Sequence, residues 1–389
     1  MLATAVAAQL GCSLIHQGMP ALAPLIQAEW ALSRGELGMI VAAINVGVFL
    51  ASTVSGDLVD RVGERPLLVV GPLGVAAGAL LASLASSPLL VTALLVAVGV
   101  FVSTSGPAGG KAMLVWFAPR IRGFAMGLRQ TSVPLAGVVA AATLPALAAG
   151  LGWRGALQVA ALASGLAALL PWLIYRDPPD PATTTVRERS GLQAIPALLR
   201  DRSLLATILL GPLLVAGHWT LVAYLGLYLY ERYDLPVAVA AGYLALAQVG
   251  GVVGRIAWGV ASDVVWDGRR KPVLILIPPL GALLVVLLAA LPADASPPLI
   301  GALAIVLGAT LIGWNALIMT FQAEQAGPAR AGTTLGLGIA TIFLGAVLVP
   351  PAFGALVDRL GSYQPAWLLL ALVLLSALAL FPFMHERAR

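Results

Sequence analysis

Three cations interrupt the apolar stretches of this chain where a charge is costly: Lys111, Arg129 and Arg255. A charged group in such surroundings needs a counter-charge or water. A guanidinium can also hold a carboxylate by two parallel hydrogen bonds. Because all Asp and Glu residues fall in loops, tails or at the ends of the apolar stretches, the sequence predicts that a small anion from outside the chain supplies the counter-charge.

Two histidines could add acid–base chemistry to this anion site. His16 and His218 lie near the middle of two apolar stretches. Imidazole titrates near pH 6.5 when unperturbed, so either side chain could carry a proton that moves with the anion. The alternative role for each is a hydrogen bond between neighbouring helices.

Further polar side chains share the helical faces of these residues. Gln248 lies one heptad before Arg255, and Gly259 lies one turn after it, so a polar stripe faces one direction. Tyr224 lies four residues before Tyr228 and could donate a hydrogen bond to the same ligand. The predicted substrate-binding set is Arg255, Arg129, Lys111, Gln248, Asn45 and Tyr224. For Lys111, Arg129 and Arg255 the alternative is that the long side chains extend to the membrane surface.

The composition places these residues in a membrane protein. Of the 389 residues, 60% are hydrophobic and 10% are charged, with a mean hydropathy of +0.97. A soluble protein needs roughly a quarter of its residues charged, and a membrane helix needs about 20 apolar residues. Spans are predicted at 3–27, 35–57, 66–86, 89–117, 122–148, 153–175, 203–229, 236–262, 272–292, 297–322, 332–352 and 365–384. We therefore expect an all-α membrane protein with twelve transmembrane helices.

Charge between the spans predicts the orientation. The first apolar run lacks a basic leader segment and is too long for a signal peptide, so we expect it to be the first span. With the N-terminus inside, only Arg34, Arg154, Arg232 and Arg359 fall on the outer side among the Lys and Arg residues between spans. The positive-inside rule then predicts a multi-pass protein of the inner (cytoplasmic) membrane with both termini in the cytoplasm.

A polar segment divides the spans into two sets of six. Residues 176–202 are rich in Pro, Thr and charge and cannot cross a bilayer. We therefore predict an N-terminal six-helix bundle at 1–175, a cytoplasmic linker at 176–202 and a C-terminal six-helix bundle at 203–389.

The two halves are also internal repeats. At an offset of 203 residues Gly56 corresponds to Gly259 and Asp60 to Asp263. Further corresponding pairs are Asn45 and Gln248, Ser52 and Arg255, His16 and His218 (within one position), Gly123 and Gly332, and Gly127 and Gly336. Parallel six-span repeats are typical of transporters whose substrate site lies where the halves meet.

The loop after the second span, "GDLVDRVGERP", resembles the glycine–aspartate–basic loop of the major facilitator superfamily. The matching residues are Gly56, Asp60, Arg61, Gly63 and Arg65, while Glu64 stands in a usually basic position. Gly259, Asp263, Gly268, Arg269 and Arg270 match in the second copy, with Asp267 where the basic partner of Asp263 would be expected. "WFAPRIRGFAMG" at 116–127 resembles the superfamily's loop between spans four and five. This resemblance covers essentially the whole chain.

The resemblance implies a role for the aspartate loop and for Arg255. Asp60 could pair with basic side chains and a neighbouring helix N-terminus, a latch that breaks when the halves rock; the alternative is a plain turn held by Gly63. The predicted latch residues are Gly56, Asp60, Arg61, Gly63, Arg65, Gly259 and Asp263. The pattern Arg255, Gly259, Asp263 resembles the eighth span of the monocarboxylate and oxalate:formate branches, where the corresponding arginine binds the substrate carboxylate.

The sequence therefore predicts a monomeric secondary transporter for a small organic anion, with a coupled proton. Some members of the monocarboxylate and oxalate:formate branches carry a lysine in the eleventh span. This chain has no cation between Gly332 and Val357, so the resemblance argues against a dicarboxylate. We expect no cofactor, metal or nucleic acid, and the single cysteine, Cys12, excludes an internal disulfide. A proton-coupled efflux pump for lipophilic compounds is the second interpretation. The fifth span resembles the Gly-Pro motif of such exporters in Pro134 and Gly137, but Val133 precedes the proline, and the sequence lacks the deep acidic residues that these pumps commonly use. An enzyme or receptor is a third, but no nucleophile–base pair or metal-ligand spacing supports it.

Overall fold

The computed structural model describes residues 1–32, 34–176, 195–235, 237–292 and 294–386. Most of the predicted linker, with Arg187 and Arg189, lies outside these residues, as do Arg387 and Arg389. The α-helices are α1 (Leu2–Trp30), α2 (Arg34–Val62), α3 (Glu64–Ser83), α4 (Pro88–Trp116), α5 (Pro119–Gln130), α6 (Ser132–Ala167), α7 (Leu169–Ile174), α8 (Ile195–Arg200), α9 (Arg202–Tyr233), α10 (Val237–Val264), α11 (Lys271–Ala290), α12 (Pro297–Leu311), α13 (Asn315–Ala326), α14 (Ala331–Leu360) and α15 (Tyr363–Ser376), followed by a 3₁₀ helix (Ala377–Phe383). The predicted all-helical class is confirmed.

The helices are consistent with twelve membrane spans. Within the described residues, ten segments are long and apolar enough to cross a membrane. One of them, Pro119–Ile174, contains two spans, because Gly152 breaks α6 with a left-handed φ of 68°. The helix α1, with 29 residues, is long enough to contain the first predicted span at 3–27. The fifth and sixth predicted spans meet at this glycine, as the sequence indicated.

Local sequence signals fix several helix ends. Ser87 accepts a hydrogen bond from the Leu90 amide at the start of α4. Asp201 accepts two, from Ser203 and Leu204, at the start of α9. Short side chains with an acceptor oxygen satisfy amides that have no partner within the helix. These caps set where the fourth and seventh spans begin.

The chain folds into two compact units. Unit 1 comprises Met1–Ala118, Leu128–Pro196 and Ala326–Ala340; unit 2 comprises Pro119–Gly127, Ala197–Gln325 and Thr341–Arg389. Unit 1 therefore contains most of the first six spans and the start of the eleventh, and unit 2 contains most of the last six spans and the start of the fifth. The predicted division at the 176–202 linker stays a prediction.

The internal repeat is visible in how each unit packs. In unit 1, α3 packs on α6 and α2 packs on α4; in unit 2, the equivalent helix α11 packs on α15 and α10 packs on α12. A Cβ on Gly47 would overlap the carbonyl oxygen of Val96, and one on Gly250 would overlap that of Ile305. Gly47 and Gly250 are 203 residues apart. The α2–α4 and α10–α12 crossings are thus equivalent close contacts through small residues.

Candidate functional site

The side chain of Asp60, from the last turn of α2, caps the start of α14 within unit 1. Its Oδ1 accepts a hydrogen bond from the Gly332 amide (2.9 Å), and its Oδ2 accepts from the amide and hydroxyl of Thr333 (2.7 and 2.8 Å). A carboxylate at a helix N-terminus satisfies free amides and stabilises the helix dipole. One turn earlier, a Cβ on Gly56 would overlap the Gly332 carbonyl oxygen, so glycine permits this close approach. The predicted contact of Asp60 with a helix N-terminus is present.

The cation that pairs with Asp60 is Lys111. Its Nζ lies 3.2 Å from Asp60 Oδ1, 3.3 Å from the Val59 carbonyl oxygen and 3.9 Å from Glu64 Oε1. The chain itself therefore supplies the counter-charge of Lys111, which corrects the expectation that an external anion does so for all three cations. Since α2 and α4 run in the same direction and end together, the long lysine side chain reaches the last turn of α2. Asp60 and Glu64 offset the charge of Lys111.

The arginines of the loop after α2 bind elsewhere. Arg61 pairs with Asp57 one turn before it, with 2.9 Å between Nη2 and Oδ2. Arg65 donates to the Trp172 carbonyl oxygen at 2.8 Å. Gly63 has a φ of 87°, which favours glycine and turns the chain between α2 and α3. The basic partner predicted for Asp60 is thus supplied by α4 instead of by Arg61 or Arg65.

Asp263 makes the equivalent contact within unit 2. Its carboxylate accepts hydrogen bonds from the amides of Gly123 (3.3 Å) and Phe124 (2.8 Å) in α5. A Cβ on Gly259 would overlap the Gly123 carbonyl oxygen. Arg270 forms an ion pair with Asp263 through Nη1. The correspondences of Asp60 with Asp263 and of Gly332 with Gly123 hold in three dimensions.

Arg270 connects Asp263 to further groups of unit 2. Its buried guanidinium donates to Ser262 Oγ (2.6 Å) and the Pro119 carbonyl oxygen (2.7 Å) and lies 3.2 Å from Glu324. Glu324 also pairs with Arg122 at 2.9 Å. The sequence placed Asp267 at the expected position of the cation and gave Arg270 and Glu324 no specific role. The signal that could have identified Arg270 and Glu324 is their charge, because few residues of this chain are charged.

Residues near the C-terminus form hydrogen bonds with the loop that carries Arg270 and with the start of α11. Glu386 Oε1 accepts from the amides of Arg270 (2.5 Å) and Lys271 (2.8 Å), where α11 begins. Lys271 Nζ donates to the Met384 carbonyl oxygen at 2.6 Å, and the His385 amide donates to Ser203 Oγ at 3.0 Å. Residues 384–386 therefore hold the N-termini of α9 and α11.

Arg129 is fully buried in unit 1. Its Nη1 donates to Gln9 Oε1 at 2.6 Å and to the Ser105 carbonyl oxygen at 3.4 Å. A Cβ on Gly109 would lie 2.7 Å from Nη1, so the glycine makes room for the guanidinium. Arg129 is thus held between α1 and α4 by neutral oxygen atoms. A guanidinium buried at this depth could add positive potential to an anion site.

Arg255 lies on α10 of unit 2 and is only 6% exposed. His218 lies on α9, which packs against α10. The half-buried side chain of Gln248 occupies on α10 the repeat position of Asn45. The carbonyl oxygen of Arg255 lies where a Cβ on Gly127 would be, so α5 crosses α10 at this residue. Unit 2 therefore combines a buried guanidinium, an imidazole and an amide on two packed helices.

The equivalent positions of unit 1 carry no charge. His16 Nε2 donates to Asn45 Oδ1 at 2.7 Å, joining α1 to α2. Ser52, at the repeat position of Arg255, donates to the Val48 carbonyl oxygen in its own helix. His16 therefore makes the hydrogen bond between helices that was its alternative role.

Tyr224 is held by α14 within unit 2. Its hydroxyl donates to the Pro350 carbonyl oxygen at 2.9 Å, and its ring lies 4.9 Å from that of Phe353. Tyr228 donates to the Leu288 carbonyl oxygen at 3.1 Å. The predicted role of Tyr224 as a hydrogen-bond donor to the substrate stays a prediction.

In the described part of the chain, no group of three or more His, Cys, Asp or Glu side chains could hold a metal.

Comparisons with known proteins decide the family. A model described as Major Facilitator Superfamily matches residues 3–350. The chain belongs to the Major Facilitator Superfamily. An uncharacterised MFS-type transporter of Mycobacterium tuberculosis, Rv2994, is 31% identical over 370 residues, covering 95% of this chain and 81% of the relative. This MFS protein is therefore a multi-pass membrane protein.

Two further MFS relatives have named substrates. Monocarboxylate transporter 13 of Bos taurus is 30% identical, with 86% of this chain and 77% of the relative covered. A probable sulfoacetate transporter of Cupriavidus necator, SauU, is 26% identical, with 88% and 83% covered. Among solved structures, the fucose:proton symporter FucP of E. coli matches with a TM-score of 0.78 at 16% identity, covering 99% of this chain and 98% of FucP. This structural match shows the shared fold.

Proposed function

We propose that this MFS protein is a secondary transporter that moves a small organic anion with one carboxylate, together with a proton, across the inner membrane by alternating access. Arg255 carries the proposal. It is a buried guanidinium within a membrane span, and ionisable groups at such positions mark substrate or ion pathways. Its planar donors match a carboxylate.

Two relatives support an anionic substrate. Monocarboxylate transporter 13 and the probable sulfoacetate transporter both carry names of organic acids. The residues proposed to complete the site are Gln248, Tyr224, Asn45 and Arg129, with Arg129 supplying positive potential. The pairing of Lys111 with Asp60 gives Lys111 a second role in the proposal, the stabilisation of the α2–α14 contact.

The carboxylates of Asp60 and Asp263, which cap the N-termini of other helices, suit the conformational part of the transport cycle. Each holds the start of another helix by hydrogen bonds and an ion pair, which can form and break without covalent change. We propose that they act as latches on the cytoplasmic side, where both termini of the protein lie. Opening one latch would release the N-terminus of α14 and opening the other that of α5.

Uptake into proteoliposomes tests the substrate class. Purified protein is assayed with radiolabelled acetate, lactate and pyruvate, with succinate, and with lipophilic cations. We expect uptake of a monocarboxylate by the native protein and a loss of about 3 kcal/mol, a factor of roughly 150, in kcat/KM for Arg255→Ala. Arg255→Lys should keep part of the activity, because an ammonium preserves the charge but lacks the planar fork.

The matched control is Arg269→Ala, since Arg269 is exposed in the α10–α11 loop. It should transport at the native rate. Uptake by Arg255→Ala within twofold of the native protein would contradict the proposal. Transport of lipophilic cations alone would favour the efflux function instead.

A further inference from the structure

One membrane span of unit 2, Pro297–Ala326, is built from two helices. The first helix, α12, ends at Leu311, and the second, α13, begins at Asn315. The last carbonyl groups of a helix have no partner within it, and inside a membrane no bulk water replaces that partner. A break at this depth therefore needs hydrogen-bond donors from elsewhere in the protein.

Two indole groups supply donors to the carbonyl groups at the end of α12. Trp258 on α10 donates through Nε1 to the Ala309 carbonyl oxygen at 2.8 Å. Trp314, which lies in the break and is fully buried, donates to the Leu311 carbonyl oxygen at 2.8 Å. The break is thus held from two sides, by the neighbouring helix and by a side chain of its own.

The equivalent span of unit 1 is the single continuous helix α4. The helix crossings give the correspondence, because a Cβ on Gly99 would overlap the Ile44 carbonyl oxygen and one on Gly308 would overlap that of Ala247. Positions in α2 therefore correspond to positions 203 residues later in α10, and positions in α4 correspond to positions 209 residues later in α12 and α13.

Serine hydroxyls stand at the positions of both tryptophans in unit 1. Ser55 corresponds to Trp258, and it reaches the equivalent carbonyl group only through the hydroxyl of Ser103, with 2.6 Å between the two hydroxyl oxygens. Ser105 corresponds to Trp314 and donates to a carbonyl oxygen of its own helix at 3.0 Å. In this pair of spans, the large indole donors therefore accompany the break.

Trp258 lies on the helix that carries the proposed anion site. It follows Arg255 by three residues, so that the two residues share one face of α10. The residue before Arg255, Gly254, lies against the break, since a Cβ on Gly313 would come within 2.9 Å of its Cα. A displacement of α10 at Arg255 is therefore transmitted to the break through the indole of Trp258 and through backbone contact.

Beyond the break, α13 carries Glu324, which holds two cations of unit 2. Glu324 Oε1 lies 2.9 Å from Arg122 Nη1 and 3.2 Å from Arg270 Nη2. Glu324 is nine residues beyond Asn315, or roughly 14 Å along the helix. A tilt of α13 by about 10° at the break would move Glu324 by about 2 Å, which is more than an ion pair at hydrogen-bond distance tolerates.

We propose that Trp258 is a positioning residue of the transport cycle, whose indole couples anion binding at Arg255 to the angle between α12 and α13. The inference rests on the proposed function and names the element that connects the anion site to the charges around Asp263. When a carboxylate binds, the turn of α10 that contains Arg255 and Trp258 shifts, and the carbonyl group bound to the indole follows. α13 then tilts at the break, and the ion pairs of Glu324 loosen.

Hydrogen exchange of the native protein in lipid nanodiscs, followed by mass spectrometry, is the first test. The probe is whichever of acetate, lactate and pyruvate is taken up, at a saturating concentration. It should change the exchange of the amides of α13 by about threefold or more and leave the continuous turn 103–105 of α4 unchanged. Unchanged exchange in α13 would overturn the inference, and this measurement requires no variant.

Trp258→Phe is the second test, because it keeps an aromatic ring and removes the Nε1 donor. We expect the maximal rate of uptake to fall about tenfold while the affinity for the anion stays within twofold, and we expect α13 to lose its response to the anion. The matched control is Trp172→Phe, whose side chain is 56% exposed. It should match the native protein in rate, affinity and exchange.

A double variant tests whether Trp258 acts through Glu324. Adding Glu324→Gln to Trp258→Phe should lower the maximal rate no further than the more severe of the two single variants, since both changes interrupt one path. Multiplied losses would overturn the inference, as would a parallel loss of affinity and Tm in Trp258→Phe, which is the result of a purely structural role.

The outcomes separate this inference from the proposed function. A native maximal rate in Trp258→Phe would refute the inference and leave the substrate class intact. Absence of anion binding and uptake in the native protein would instead refute the proposed function.

Discussion

Asp60 in unit 1 and Asp263 in unit 2 make the same backbone contact with different partner charges. Each carboxylate accepts hydrogen bonds from two amides at the start of another helix, one turn after a glycine that permits close approach. The cation of Asp60 is Lys111, which comes from within a membrane span. The cation of Asp263 is Arg270, from the loop before α11.

This difference shows which part of the contact is constrained. The amides at a helix start are the same for any sequence, so the glycine and the aspartate must be retained at fixed positions. A cation only needs to reach the carboxylate, and it can come from any neighbouring element. Arg270 also pairs with a second carboxylate, Glu324, at 3.2 Å. The second carboxylate near Lys111, Glu64, lies farther away, at 3.9 Å.

The largest effect is expected from Gly56→Ala and Gly259→Ala. In both, the new methyl group would overlap a backbone carbonyl oxygen that cannot move independently of its helix. We expect about 3 kcal/mol of destabilisation in each variant and loss of transport. Thermal unfolding followed by tryptophan fluorescence, together with uptake, measures both effects.

The control for these variants is Gly242→Ala on α10, where a Cβ would meet no atom within 4 Å. It should leave uptake unchanged and should not lower stability, since alanine is favoured over glycine inside a helix. If Gly56→Ala and Gly259→Ala differed widely from each other, the two crossings would not be mechanically equivalent.

The next largest effect is expected when the negative charge of Asp60 or of Asp263 is removed, and its size should differ between the two. Asp60→Asn leaves buried Lys111 with Glu64 at 3.9 Å, whereas Asp263→Asn leaves Arg270 with Glu324 at 3.2 Å. We expect Asp60→Asn to cost about 3 kcal/mol and Asp263→Asn less. Adding Lys111→Met should restore part of the stability of Asp60→Asn, while adding Arg270→Met to Asp263→Asn should not. A double-mutant cycle with equal coupling in both units would argue against this asymmetry.

A smaller effect is expected from Glu386→Gln. The variant keeps a hydrogen-bond acceptor for the α11 amides but removes the charge at the helix N-terminus and beside Arg269. We expect about 1 kcal/mol of destabilisation, measured as a lower Tm. A Tm equal to that of the native protein would mean that the negative charge of Glu386 adds nothing to stability.

The smallest effect concerns Glu29 and Arg154 at the far end of unit 1. Hydrogen bonds from Arg154 hold the pKa of Glu29 below its ordinary value of 4.5, and the Arg154 guanidinium also lies over the Trp153 ring. A lowered carboxyl pKa contributes stability above the ordinary pKa, and this stability is lost as the pH falls through the folded value. Between pH 6 and pH 3, the native protein should lose slightly more Tm than Arg154→Gln. Parallel pH profiles for the two proteins would exclude this contribution.

The sequence predicted the spans, the repeat and the residues of the aspartate loops. Hydropathy identifies spans because a membrane helix must satisfy its own backbone and cover it with apolar side chains. The correspondence of Asp60 with Asp263 and of Gly123 with Gly332 was also readable, since both copies keep the residue types that backbone contact requires. These are constraints that act locally in the chain.

The partners of the charges were not readable from the sequence. Lys111 and Asp60 are 51 residues apart, and Asp60 and Gly332 are 272 apart. Which cation reaches Asp60 depends on how α2 and α4 pack, so the sequence assigned Lys111 to the substrate and Arg61 to the loop. Glu386 was missed for the same reason, because a carboxylate in the C-terminal tail gives no local signal for capping α11.

The left-handed glycine that divides α6 has a consequence for the biogenesis of the protein. Gly152 alone turns the chain between the fifth and sixth spans, and Gly361, with a φ of 62°, stands between α14 and α15. A turn this short leaves almost no hydrophilic segment between the two helices that it joins. Each pair of spans can therefore leave the ribosome and enter the lipid as one helical hairpin, in a single insertion step.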